Sequence, residues 1–303
     1  MNLKKNLMSA VLLVATTFFA AEAQNLSQVT GQLKKKNLAT VKLFKVVDGR
    51  MEEIASAVPA ADGQFGFAFK PEYSGYYVIG MGEAPAGMKD KYKFFFKGND
   101  KLNLQLNDTS YVLTGENSAE NKLLTEWHTA VYPLERNSIG SFSKTYKEVF
   151  PMLTSVATQS KDWMKGKTSG NKEFDQLLTQ TINYDIAFYA MSFLKTPRTA
   201  HPQKTDFNDY LKNFKVADYL TSLDLLKYPY GTRALGTMAY FNQTGDKEAL
   251  FDKALNDIPN NQLKGELVLE NAGYQRSYTN YQELVDKYDQ YFVTAEQKQR
   301  SQA

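Results

Sequence analysis

The chain has 303 residues, 43% of them hydrophobic and 23% charged, enough to pack one large or two ordinary domains and too apolar for a disordered polymer. Its 36 basic and 33 acidic residues leave a formal charge of +3, too weak a field to gather nucleic acid. Having no cysteine, it forms no disulfide, carries no thiol nucleophile and lacks the thiolates of the common zinc sites.

In chain order, Met1 to Ala23 comes first. Lys4 and Lys5 precede an apolar run from Leu7 to Ala20, which closes on Ala21-Glu22-Ala23. That is the charge, core and cleavage pattern of a secretory signal, so cleavage is expected after Ala23 and the product is expected to be periplasmic or secreted. No cysteine follows the run to take a lipid, and no later apolar stretch approaches the roughly 20 residues needed to cross a bilayer. No stable membrane span is expected.

From Val29 to Leu113 the hydrophobic period is that of strands. Val41, Leu43 and Val46 lead into Asp48-Gly49, a strong hairpin turn, and Met51 to Val58 returns from it. Phe65, Phe67 and Phe69 alternate strictly after the turn pair Asp62-Gly63, so one face of that strand must be buried. Further strands are expected from Tyr77 and Ile79, over Tyr92 to Phe96, through Leu102, Leu104 and Leu106, and at Tyr111 to Leu113. Short strands at this spacing predict an antiparallel β-sandwich or barrel-like domain over residues 24–115.

Beyond Gly115 the period becomes helical. Asn117-Ser118-Ala119-Glu120 supplies a cap and an early acidic residue for a helix carrying Leu123, Leu124, Trp127 and Val131, which Pro133 ends or kinks. Helices are predicted over Tyr146 to Met164, Phe174 to Leu194, Phe207 to Leu226, Lys247 to Asn256, Gln262 to Ala272 and Tyr278 to Tyr291, and a turn at Tyr228-Pro229-Tyr230-Gly231. Strands followed by helices define an α+β chain, with a helical domain over residues 116–303. No recurring residue pattern marks a solenoid.

Few residues point to chemistry. His128 and His201 are the only imidazoles, and neither has a second histidine three or four positions away. No Gly-x-Ser-x-Gly turn occurs, which argues against a serine hydrolase. Glu52 and Glu53 are adjacent on a strand and so face opposite sides, unable to flank one bond. Lys34-Lys35-Lys36 reads as a charged loop that keeps the surface soluble. Asn25-Leu26-Ser27 and Asn107-Asp108-Thr109 match the glycosylation triplet without deciding anything. No catalytic, cofactor-binding or metal-binding residue is assigned. Tyrosine is the unusual excess, at 19 residues, and Tyr73, Tyr76 and Tyr77 cluster where an exposed ring could stack on a sugar or anchor a peptide.

Three segments carry a resemblance. Asp62-Gly63-Gln64-Phe65-Gly66-Phe67 lies among the strands; Leu263-Lys264-Gly265-Glu266-Leu267-Val268-Leu269 and Tyr291-Phe292-Val293-Thr294-Ala295-Glu296-Gln297-Lys298 lie among the helices. With the leading signal, this order resembles the N-terminal region of TlpA-like thiol-disulfide oxidoreductases of the Gram-negative envelope. In that family such a region leads into a thioredoxin domain whose Cys-x-x-Cys pair does the chemistry. Here Gln297 to Gln302 stands where the linker is expected, and with no cysteine no catalytic residue carries over. The resemblance implies a non-enzymatic accessory module without a cofactor. Its partners would be a client protein or peptide, a redox domain in cis or in trans, or a second copy in a homodimer. The alternative is an independent glycan- or peptide-binding envelope protein, and a hydrolase using carboxylates alone is a third reading.

Overall fold

The computed structural model describes residues 25–34, 40–81, 90–140, 143–197, 200–241 and 247–302; the expected signal at Met1 to Ala23, and Lys35 and Lys36 of the basic run, lie outside them. The chain is α+β and divides into two compact units. The first gathers residues 25–44, 53–81 and 90–122, the second residues 45–52 and 123–302.

Among the described residues eight strands make two sheets. β1 (Ser27–Leu33), β4 (Gln64–Phe69), β7 (Lys101–Leu106) and β8 (Tyr111–Leu113) form one, in the order β4-β1-β7-β8. β2 (Val41–Val47), β3 (Arg50–Ala57), β5 (Gly75–Met81) and β6 (Lys91–Phe96) form the other, in the order β3-β2-β5-β6. Phe65 and Phe67 are buried while Gln64, Gly66 and Ala68 are exposed, as the period of two requires. The core of this unit takes Val29, Phe67, Leu102 and Leu104 from one sheet and Leu43, Tyr77, Ile79 and Phe94 from the other, which makes it a sandwich. Asp48 and Gly49 have φ of +46° and +75°, the left-handed pair of a two-residue hairpin turn.

The first sheet departs from the antiparallel expectation. β1 pairs antiparallel with β4, Val29 opposite Phe67, but parallel with β7, Val29 opposite Leu102. Parallel neighbours need a long crossover, and here the intervening strands supply it. Local periodicity reports which face is buried and carries no information about which distant strand lies alongside.

Nine α-helices follow among the described residues: α1 (Ala119–Glu135), α2 (Tyr146–Ser160), α3 (Lys172–Lys195), α4 (Asp209–Lys212), α5 (Gly231–Ala239), α6 (Lys247–Asp257), α7 (Asn261–Ala272), α8 (Tyr278–Lys287) and α9 (Ala295–Ser301). Ser118 caps α1, its Oγ accepting from the Asn121 amide at 3.2 Å. Asn117 is turned to the strands instead: its amide oxygen accepts from Asn103 N at 2.8 Å, and its nitrogen donates to the Asn103 and Thr114 carbonyls. Asn121 does the same for Phe95, with bonds of 2.8 and 3.0 Å. Two side-chain amides thereby satisfy backbone groups that the ladders leave open.

Pro133 does not end α1, which runs two residues beyond it and passes into a π-turn at Arg136–Gly140. The long helix expected over Phe207 to Leu226 is broken into α4 and 3-10 turns at Val216–Asp218 and Leu223–Lys227. Asn208 and Ser222 divert the backbone there, accepting from Leu211 N at 3.1 Å and Asp224 N at 3.1 Å. Two helices lie outside the expected set. α5 starts directly after the Tyr228–Gly231 turn, and α9 is polar along its length but opens on a capping box between Thr294 and Gln297.

Candidate functional site

The residues singled out in the sequence are placed as follows. Tyr76 and Tyr77 are each 1% exposed and Tyr73 is half-buried. Tyr73 and Tyr77 stack at 4.8 Å, the Tyr77 hydroxyl accepts from the Glu72 and Tyr73 amides at 2.8 and 3.2 Å, and the Tyr73 hydroxyl donates to the Tyr76 carbonyl at 3.0 Å. Both faces of β5 are buried, so adjacent tyrosines that point opposite ways both go inward. The expected binding surface is a clasp holding the loop before β5. Glu52 and Glu53 pair with Lys45 and Lys42 at 3.6 and 2.9 Å. His201 is exposed, whereas His128 on α1 lies 3.5 Å from Glu135, whose carboxyl also accepts from the Tyr189 hydroxyl at 2.9 Å. Among the described residues no three His, Asp or Glu side chains gather as a metal site.

The helical unit contains a cleft of about 570 Å³ between α2, α3, α4 and the turn at Val216–Asp218. Its floor is apolar: Ile182 and Ile186 from α3, Met164 after α2, and Phe214 after α4. Tyr210 and Tyr219 line it, with hydroxyls 3.4 Å apart, and Phe214 stacks on Tyr219 at 4.8 Å and 14°. Burial pushes the phenols of Tyr210 and Tyr219 above their usual range, so both stay neutral hydrogen-bonding groups. Tyr184 behind them, pushed up to about 12 by burial and then by Asp224, donates to the Tyr219 carbonyl at 3.4 Å. Around the opening, Lys161 and Lys215 balance Asp209 and Asp218, and Asn183 and Asn213 stand exposed. Asn208 fixes one wall, capping α4 through its oxygen and donating through its nitrogen to Phe150 O at 3.1 Å and Thr154 Oγ1 at 2.9 Å on α2.

Two buried polar clusters complete the unit. Glu266 on α7 is fully buried; Arg50 Nη1 donates to it at 2.9 Å, Gln297 Nε2 at 2.9 Å, and Arg300 Nη2 also donates. Burial pushes the Glu266 carboxyl up to about 7, against the pull of Arg50 and the Gln297 hydrogen bond. Close by in the chain, the turn carrying Asp48 and Gly49 meets the start of α5: Gly49 N donates to Leu226 O at 2.7 Å, Thr232 N to Gly49 O at 3.2 Å. A Cβ on Gly231 would lie 2.4 Å from Leu225 O and 2.8 Å from the Gly49 α-carbon, so the approach requires glycine at both positions. On α3, Asp185 accepts from Trp127 Nε1 at 2.8 Å and from the Tyr230 hydroxyl. In both clusters the side chains are bonded to one another, and in the first Arg300 Nε is left buried without a hydrogen-bond partner among the described residues. Sequence reasoning missed them because Arg50 and Glu266 are 216 positions apart and Trp127 and Asp185 are 58 apart, and no spacing rule reaches that far.

Fold and cleft together define a two-unit α+β protein with a ligand-sized groove of balanced charge in its helical half. The chain matches no protein-family model and no curated protein.

Proposed function

We propose that this chain is a non-enzymatic accessory module of the cell envelope that holds a short extended segment of a client protein in the cleft between α2, α3 and α4. The observation that carries the reading is the pairing of an apolar floor with neutral hydrogen-bonding groups around the opening. Ile182, Ile186 and Met164 suit the side chains of a peptide, and Asn183, Asn213 and the tyrosine hydroxyls suit its amides. A sugar ring would need a free aromatic face, but Phe214 and Tyr219 stack on each other. That favours peptide over glycan. The envelope location rests on the pattern from Met1 to Ala23, and service to a redox domain in cis or in trans rests on the resemblance to the TlpA-like proteins.

The test is fluorescence anisotropy of labelled peptides, screened beside an array of neutral glycans. Asn183→Trp places a large ring at the opening from an exposed position of α3. It is expected to weaken peptide binding at least about tenfold, equivalent to about 1.4 kcal/mol, with an unchanged thermal midpoint. Glycan binding without peptide binding, or peptide binding that Asn183→Trp leaves intact, would overturn the assignment.

A further inference from the structure

A second cavity of about 280 Å³ lies elsewhere in the helical unit, bounded by the end of α3, one face of α5, the end of α7 and Tyr274. Lys195 and Arg233 line it, and among the described residues neither has an ion pair. Lys195 reaches in from an exposed position; its ammonium donates to the Tyr240 carbonyl at 3.2 Å and lies 5.8 Å from the Tyr240 ring centroid. Desolvation of the ammonium by the surrounding protein lowers its pKa. Glu270, the one carboxyl lining the cavity among the described residues, accepts from the Tyr274 hydroxyl at 3.0 Å and faces Arg50 Nε at 3.9 Å. Gly236 opens the space beside the cations, since a Cβ built there would meet nothing within 4 Å.

We infer that this cavity binds a carboxylate group, held by Lys195 and Arg233 with its carbon skeleton against the Tyr240 and Tyr274 rings. A planar guanidinium beside an ammonium matches a carboxylate in geometry, and the ammonium retains donors after its bond to Tyr240. Glu270 leaves the site with one net positive charge, which a single carboxylate neutralises. The carboxylate can come from a free organic acid or from the C-terminus of a polypeptide. The inference stands apart from the α2–α3–α4 cleft and survives if that cleft proves empty.

Calorimetry of the whole chain tests it, with benzoate, benzamide, inorganic phosphate, and one hydrophobic tripeptide in free-acid and C-terminally amidated forms. Benzoate or the free-acid tripeptide is expected to bind at least about tenfold more tightly than its neutral counterpart. Benzoate binding alone assigns the site to free acids, and tripeptide binding lost on amidation assigns it to chain ends. Arg233→Gln, at an exposed position, is expected to weaken binding about tenfold with an unchanged thermal midpoint, and Gly236→Met to abolish it by filling the cavity; Asn183→Trp should change nothing. The inference falls if charged and neutral probes bind alike, if phosphate binds more tightly than the carboxylates, if no probe binds, or if Arg233→Gln is silent.

Discussion

Between pH 4.5 and pH 7 the helical unit is expected to lose about 3 kcal/mol of stability through Glu266, and Glu266→Gln is expected to remove that loss. The folded-state pKa of this carboxyl is raised from 4.5 to about 7, so the native unit holds a proton that the unfolded chain has released. Its contribution is therefore complete below about pH 4.5 and disappears as pH rises through 7. The physical contest is between burial, which penalises the charged form of a side chain with no exposed surface, and the donors from Arg50, Arg300 and Gln297, which favour it. Asp48 and Glu296 face the same cluster and add negative charge that supports the protonated form. Glu296 itself is shifted upward by burial and by Asp48. Other carboxyls slope the opposite way, since Glu148 and Asp224 are held low by Lys144 and Lys227. The difference between native chain and Glu266→Gln cancels them.

Urea midpoints read by tryptophan fluorescence at pH 4.5, 5.5, 7 and 8 give that difference for this unit, because Trp127 and Trp163, the only two tryptophans, both lie in it. The variant should match the native chain at pH 4.5 and exceed it at pH 8. A native chain that gains on the variant as pH rises would show that the guanidiniums outweigh burial.

Removing the Asp185 carboxyl is expected to be the most damaging single change in the core, about 3 to 5 kcal/mol for Asp185→Ala and a fall of roughly 10 °C in thermal midpoint. Asp185 is 1% exposed and bonds Trp127 from α1 and Tyr230 from the turn before α5. Its loss removes the carboxylate acceptor of two donors at once, on side chains only 1% and 2% exposed. The Tyr230 ring stacks on Phe188 at 4.3 Å, so it is not free to turn away. Asp185→Asn should cost less, because the amide oxygen still accepts one bond while its nitrogen opposes the other donor. A double-mutant cycle with Tyr230→Phe should return a coupling above about 1 kcal/mol. A loss below about 1 kcal/mol for Asp185→Ala, or no coupling, would mean that apolar packing alone holds these elements.

The candidate cleft was hardly legible in the residue order. Tyr210, Phe214 and Tyr219 all lie within the stretch expected as one helix, Phe207 to Leu226, and nothing in their order set them apart. Only the breaks at Asn208 and after Lys212 turn them into the wall of a cleft, and those breaks depend on hydrogen bonds from Asn208 to Phe150 and Thr154, more than 50 positions away. The tyrosines that did stand out, Tyr76 and Tyr77, are buried because β5 is covered on both faces, a fact of layer order rather than of local pattern.

What the sequence determined by itself was therefore what short-range physics controls. The alternation of Phe65 and Phe67, the left-handed Asp48-Gly49 turn and the helical period of α1 and α3 follow from backbone geometry and side chains a few positions apart, and they sufficed for the α+β class. Tertiary structure decided what depends on partners remote in the chain: the parallel pairing of β1 with β7, the closure of Glu266 between Arg50 and Arg300, and the cavity that brings Lys195 and Arg233 together. The reason is that desolvation, the force behind each of these, acts on whatever groups folding brings together, and sequence separation does not enter it.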